Sequence, residues 1–166
     1  MSIVKFKKKQ LTDAIKRIKN ATDVKYSKAE VRSAESLFVK EMKKMISAGL
    51  SPIKGKGRFP AYKNPSKYPG KKKPKRPVNL FLTGQQLGSL IADITPGRLF
   101  KGLSISFGYE NDLASDKEKG HRTGHMGQPK RPTIPKGREE LSRVITSKLI
   151  KLFVKITRKK LKQSLK

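Results

Sequence analysis

The sequence predicts an α+β fold, one domain over residues 1–166, and three observations predict it. Apolar residues recur at helical spacing from Val31 to Ile46 and again from Leu141 to Ile156. Leu103, Ile105, Phe107 and Tyr109 alternate with Ser104, Ser106 and Gly108, the period of a half-buried strand. Between the first helical stripe and this strand, Ser51 to Pro77 holds six prolines and reads as an extended arm.

At the N-terminus, Leu11, Ala14, Ile15 and Ile18 share one face of a short amphipathic helix from about Lys8 to Asn20. Ser27 with Glu30 then forms a capping box that opens a second helix. Its stripe of Val31, Ala34, Phe38, Met42 and Met45, with Leu37 and Ile46 beside it, ends at Gly49, a C-cap residue. The two methionines are expected as core filler.

Ser51 to Pro77 contains ten Lys or Arg and no Asp or Glu, and nothing in it reads as core. Its cations are Lys54, Lys56, Arg58, Lys63, Lys67, Lys71, Lys72, Lys73, Lys75 and Arg76. On an extended backbone these suit phosphates, because each neutralised phosphate releases counterions. The interleaved rings Phe59, Tyr62 and Tyr68 can stack on bases, or can fasten the arm to its own domain or to a neighbouring subunit; all three are candidates for a subunit interface. A solvated spacer is the plainer alternative for the whole stretch. Its glycines lack the strand, helix start and Lys-Ser/Thr of a P-loop.

Thr83 with Gln86 is another capping box, so about two helical turns are expected from Gly84 toward Ile91, handing over to a strand. Ile94 leads into a Thr95-Pro96-Gly97 turn, and the alternating strand follows to complete a hairpin. Two strands alone are marginal, so the helical stripes are expected to cover its buried face. Residues 111–135 read as a long loop: mobile through Gly127, then extended through Pro129, Pro132 and Pro135. A last helix is expected from Gly137 or Arg138, with Glu139 and Glu140 in its first turn and Arg158, Lys159 and Lys160 near its end, as the macrodipole prefers.

Forty-one Lys or Arg against twelve Asp or Glu leave a formal charge of +29, and 34% of residues are hydrophobic. Self-repulsion of that size disfavours an isolated compact monomer, and a large polyanion relieves it. An anionic membrane ranks below nucleic acid, because the most basic stretch has no regular apolar face. There is no cysteine, hence no disulfide or thiolate site, and no cofactor is expected. No apolar signal segment or membrane-length stretch appears, which places synthesis in the cytoplasm. His121 and His125 are four apart, but Gly120, Gly124 and Gly127 argue against the helix that would align them, so solvated loop histidines are expected rather than a metal site. The acids are too scattered for Mg²⁺-dependent nuclease chemistry, and the chain reads as no enzyme.

A helical N-terminal half, the segment PVNLFLTGQQLGSL, and a His- and Gly-containing stretch closing on PKRPTIP before a terminal helix stand in that order. Over roughly Ser27 to Ile156 this resembles the tail-completion and neck proteins of tailed bacteriophages, of the minor-tail or virion-morphogenesis group. The resemblance implies a small antiparallel sheet flanked by a long helix and a terminal helix. It also implies a non-catalytic structural subunit forming a homo-oligomeric ring at the head–tail junction of the virion. Neighbouring connector and tail proteins would be its partners, and its basic surface would lie along packaged DNA or an acidic neighbour. By the same resemblance Leu82, Thr83, Gly84 and Leu90 mark the start of the sheet, and Arg131, Pro132 and Pro135 the lead into the last helix. Thr133 departs from the pattern, which has an aromatic or large apolar residue after the Arg-Pro pair; Ile134 is the candidate to fill that packing role. A non-viral nucleic-acid-binding protein of ribosomal or chromatin-like type would suit the same charge.

Overall fold

The computed structural model describes residues 25–61, 85–96, 103–124, 129–136 and 138–164. Within them the chain is α+β, with four helices and a two-stranded antiparallel sheet. The expected helix at Lys8–Asn20, the Thr83 cap and the turn at Gly97 lie outside the described residues.

Helix α1, Lys28–Ser47, starts on the expected capping box: Ser27 Oγ accepts from the Glu30 N–H, and the Glu30 carboxylate accepts from the Ser27 N–H at 2.7 Å. It ends in a Schellman arrangement. The Gly49 N–H donates to the Ile46 carbonyl and the Leu50 N–H to the Met45 carbonyl, with Gly49 at φ 75°. A single turn, α2 (Gln85–Gly88), leads directly into β1, Leu90–Pro96, which pairs with β2, Leu103–Tyr109. The helix here is shorter than the two turns expected, and the strand correspondingly longer. In the register, Leu90 faces Tyr109, Ala92 faces Phe107 and Ile94 faces Ile105, so the apolar side of the alternation falls on one face of the ladder.

That face closes on α1. Ala34, Phe38 and Met42 meet Leu90 and Ile94 of the sheet and Ile145 and Leu149 of the last helix, and the Phe38 and Phe107 rings lie 5.0 Å apart. Each large apolar side chain so buried contributes about 1.5–3 kcal/mol, which a bare hairpin could not supply. The Glu35 carboxylate adds a bond to the Ile94 N–H at 3.1 Å, satisfying a donor on the β1 edge.

Residues 111–124 are not a loop. Helix α3, Asp112–Thr123, is capped by Asn111, whose side chain accepts from the Ala114 N–H, and closed by Gly124 in the left-handed conformation at φ 78°. Gly124, read from sequence as a breaker, is the residue that terminates the helix. The last helix, α4, Arg143–Ser164, begins later than expected. Residues 140–142 are taken up in pairing with 52–54: the Lys54 N–H donates to the Glu140 carbonyl, the Ser142 N–H to the Pro52 carbonyl, and Ile53 bridges Leu141. Glu139 and Glu140 therefore precede the first turn of α4 rather than forming it. α4 runs antiparallel to α1, held by Lys148–Glu41 at 2.6 Å, Lys160–Glu30 at 2.9 Å, a Tyr26–Thr157 hydroxyl bond at 2.8 Å and the edge-on contact of Tyr26 with Phe153.

Candidate polyanion interface

The described part of the basic stretch, Ser51–Ala61, is folded onto the domain. Pro52, Ile53 and Phe59 are buried, the Ser51 N–H donates to the Gly57 carbonyl, and the Phe59 N–H donates to the Gly49 carbonyl. This corrects two expectations: the first eleven residues are not an extended arm, and Phe59 is interior to its own chain rather than at a subunit interface. The cause is long-range. Buried Arg131 donates from Nε to the Pro60 carbonyl at 3.0 Å and from Nη2 to the Ala61 carbonyl at 2.9 Å, satisfying backbone acceptors that a Pro-rich segment cannot pair within itself.

Of the expected phosphate contacts, Lys54, Lys56 and Arg58 are described and exposed. Lys54 pairs with Glu140 and Lys56 with Glu139 at 3.6 Å. Solvent screens both pairs, so the same cations can be redirected to a phosphate at small cost. The Lys54 ammonium holds the Glu140 carboxyl below the usual range. Lys63, Lys67, Lys71, Lys72, Lys73, Lys75, Arg76, Tyr62 and Tyr68 lie outside the described residues.

Beneath this surface is a polar knot that sequence reasoning missed. The Glu118 carboxylate, 4% exposed, accepts from the N–H of Thr133 at 3.0 Å and of Ile134 at 3.1 Å, and from the Thr133 hydroxyl. Thr133 Oγ also bonds Tyr109 Oη at 2.7 Å. Burial pushes the Glu118 carboxyl above its ordinary value; the Thr133 hydroxyl, both backbone donors and Arg122 only partly offset it. Burial likewise raises Tyr109 to about 12 against its Thr133 bond, with the Glu118 charge adding to the rise. Burial, together with the Arg131 and Lys117 charges, lowers His121 to about 4, leaving a neutral imidazole. Arg122 completes the knot, donating to Glu139 at 3.0 Å and to the Ile134 carbonyl. The Lys136 N–H and then Arg122 bring Glu139 below its usual range. These groups hold residues 131–136 and Glu139 and, through Arg131, residues 60 and 61 of the basic stretch. Thr133 occupies the expected aromatic position because its neighbours there are a carboxylate and a phenol.

A second basic surface lies on the outer side of α4. Lys151, Lys155, Arg158, Lys159 and Lys162 are exposed, and no carboxylate among the described residues pairs with them. The signal was in the sequence: no Asp or Glu occurs after Glu140. A shallow groove of about 390 Å³ lies between the end of α1, residues 50–57 and the start of α4. Its floor is Met45, Leu50 and Ile53, its rim carries Lys54 and Arg143, and no carboxylate or imidazole lines it.

Among the described residues no three His, Asp or Glu side chains converge as metal ligands, and no helix is long and apolar enough to cross a membrane. His125 lies outside them. Compared with known protein families, curated proteins and solved structures, the chain matches none.

Proposed function

We propose that this chain is a non-enzymatic structural subunit that works embedded against a polyanion. In this reading it is a ring-forming protein of the phage neck or tail-completion type, assembled in the host cytoplasm, with cations lying along packaged DNA. The observation that carries the reading is how the acids are used. Glu30, Glu41, Asp116, Glu118, Glu139 and Glu140 are engaged by cations of the same chain, and Glu35 by a backbone N–H. Forty-one cations against twelve acids leave a large excess that only an external anion can neutralise. The groups best suited to acid–base chemistry, Glu118 and His121, are spent on or beside the structural knot, which supports a role in assembly rather than catalysis. Backbone contact without base reading suits a conduit for DNA of any sequence.

The test has two parts. Sizing at high salt is expected to return a ring or higher oligomer. Replacing Lys71, Lys72, Lys73, Lys75 and Arg76 with Ser should lower the salt dependence of duplex binding by up to about 4.5 in slope. A persistent monomer that still binds duplex would favour a ribosomal or chromatin-like protein. An unchanged salt slope would reduce the stretch to a spacer.

A further inference from the structure

We infer that the outer face of α4 docks an acidic amphipathic segment of a partner protein, a contact distinct from the phosphate contacts of residues 51–77. This rests on the reading of the chain as an assembly subunit. The face mixes two chemistries. Val144, Ile150 and Val154 are 52%, 62% and 42% exposed, and Lys151, Lys155, Arg158 and Lys162 stand among them. At 3.6 residues per turn, Val144, Lys151, Val154 and Arg158 share one stripe about 21 Å long.

The inner side of the same helix shows what such a surface binds. There Ile145 and Leu149 pack on Ala34, Phe38 and Met42 of α1, while Lys148 and Lys160 pair with Glu41 and Glu30. α1 is thus an amphipathic helix whose apolar stripe is flanked by carboxylates, and the outer face of α4 offers the same apolar–cation mixture without such a partner among the described residues. A nucleic acid would neutralise the cations but leave the aliphatic side chains against a charged backbone. An interfacial membrane helix needs a deep aliphatic or aromatic side, and α4 has already committed Phe153 and Leu149 inward. A second copy placed face to face would set cation against cation with no acid between. An acidic segment with aliphatic residues satisfies both chemistries.

The probes are a synthetic helical peptide with one Leu stripe flanked by Glu, a duplex DNA, and phosphatidylserine vesicles, each titrated against the full chain. Two variants separate the contributions: Ile150→Ser with Val154→Ser, and Lys151→Ser with Lys155→Ser and Arg158→Ser. All are exposed, so urea melts should match the wild type. The peptide is expected to bind, and each variant to weaken it about tenfold or more. The aliphatic variant should leave duplex affinity unchanged. The inference is overturned if the wild type ignores the peptide or if peptide binding is indifferent to Ile150 and Val154. It is also overturned if duplex binding, vesicle binding or self-association depends on those two residues. Failure of the broader reading would show in the sizing and in the Lys71–Arg76 variant, which these substitutions do not touch.

Discussion

Thr133→Val tests the polar knot with little change in shape. Valine is nearly isosteric, so no cavity opens, and the buried side chain loses only its hydroxyl. That hydroxyl donates to the Glu118 carboxylate, a bond to a charged group that contributes about 1.5–3 kcal/mol. Tyr109 Oη loses its 2.7 Å partner as well, keeping Gln86 Nε2 at 3.5 Å. The added methyl returns about 0.8 kcal/mol, leaving a net loss of about 2 kcal/mol. For a domain of this size that lowers Tm by about 4–8 °C. Urea melts of the wild type, Thr133→Val and Thr133→Ser would measure it, with serine retaining most of the stability because it keeps the hydroxyl. A valine variant within about 0.5 kcal/mol of wild type would refute the knot as the anchor of residues 131–134.

Phe59→Ala should cost about 3 kcal/mol in a urea melt without changing oligomeric state at high salt, as expected of an interior ring rather than an interface ring. Gly124→Ala should cost about 1 kcal/mol, read by thermal melting, because alanine resists the left-handed φ of 78° that ends α3. His121, whose folded pKa of about 4 lies below its ordinary 6.5, leaves the unfolded chain binding more protons between those values. Stability should therefore fall with decreasing pH across that window by up to about 1.4 kcal/mol per unit, and imidazole NMR titration near 6.5 would contradict it. Glu118 has the opposite sign. Its raised folded pKa makes its contribution largest below the ordinary carboxylate value of 4.5 and smaller as pH rises through the raised one. The stability difference between wild type and Glu118→Gln should shrink over that rise, and a pH-independent difference would count against it.

Sequence and structure agree where the signal is local and disagree where polar side chains reach across the chain. The box of Ser27 and Glu30 spans three residues and the alternation from Leu103 to Tyr109 has a period of two, so both are readable without knowing the partner surface. α3 offers no apolar stripe: its buried face is Ala114 and Glu118, and a glutamate is inward-facing only because Thr133, fifteen residues away, donates to it. The start of α4 misled for a related reason. Glu139 and Glu140 suit a helical first turn, yet Lys54, Lys56 and Arg122 claim them.

The sequence by itself determined the α+β class, the long helix, the hairpin's buried face and the cationic excess, since these follow from periodicity and charge count. Tertiary structure alone decided that Ser51–Ala61 folds onto the domain with Pro52, Ile53 and Phe59 buried, and that Arg131 and Glu118 are interior. Buried polar groups must find partners, and here those partners lie up to seventy-one residues away, beyond any spacing rule.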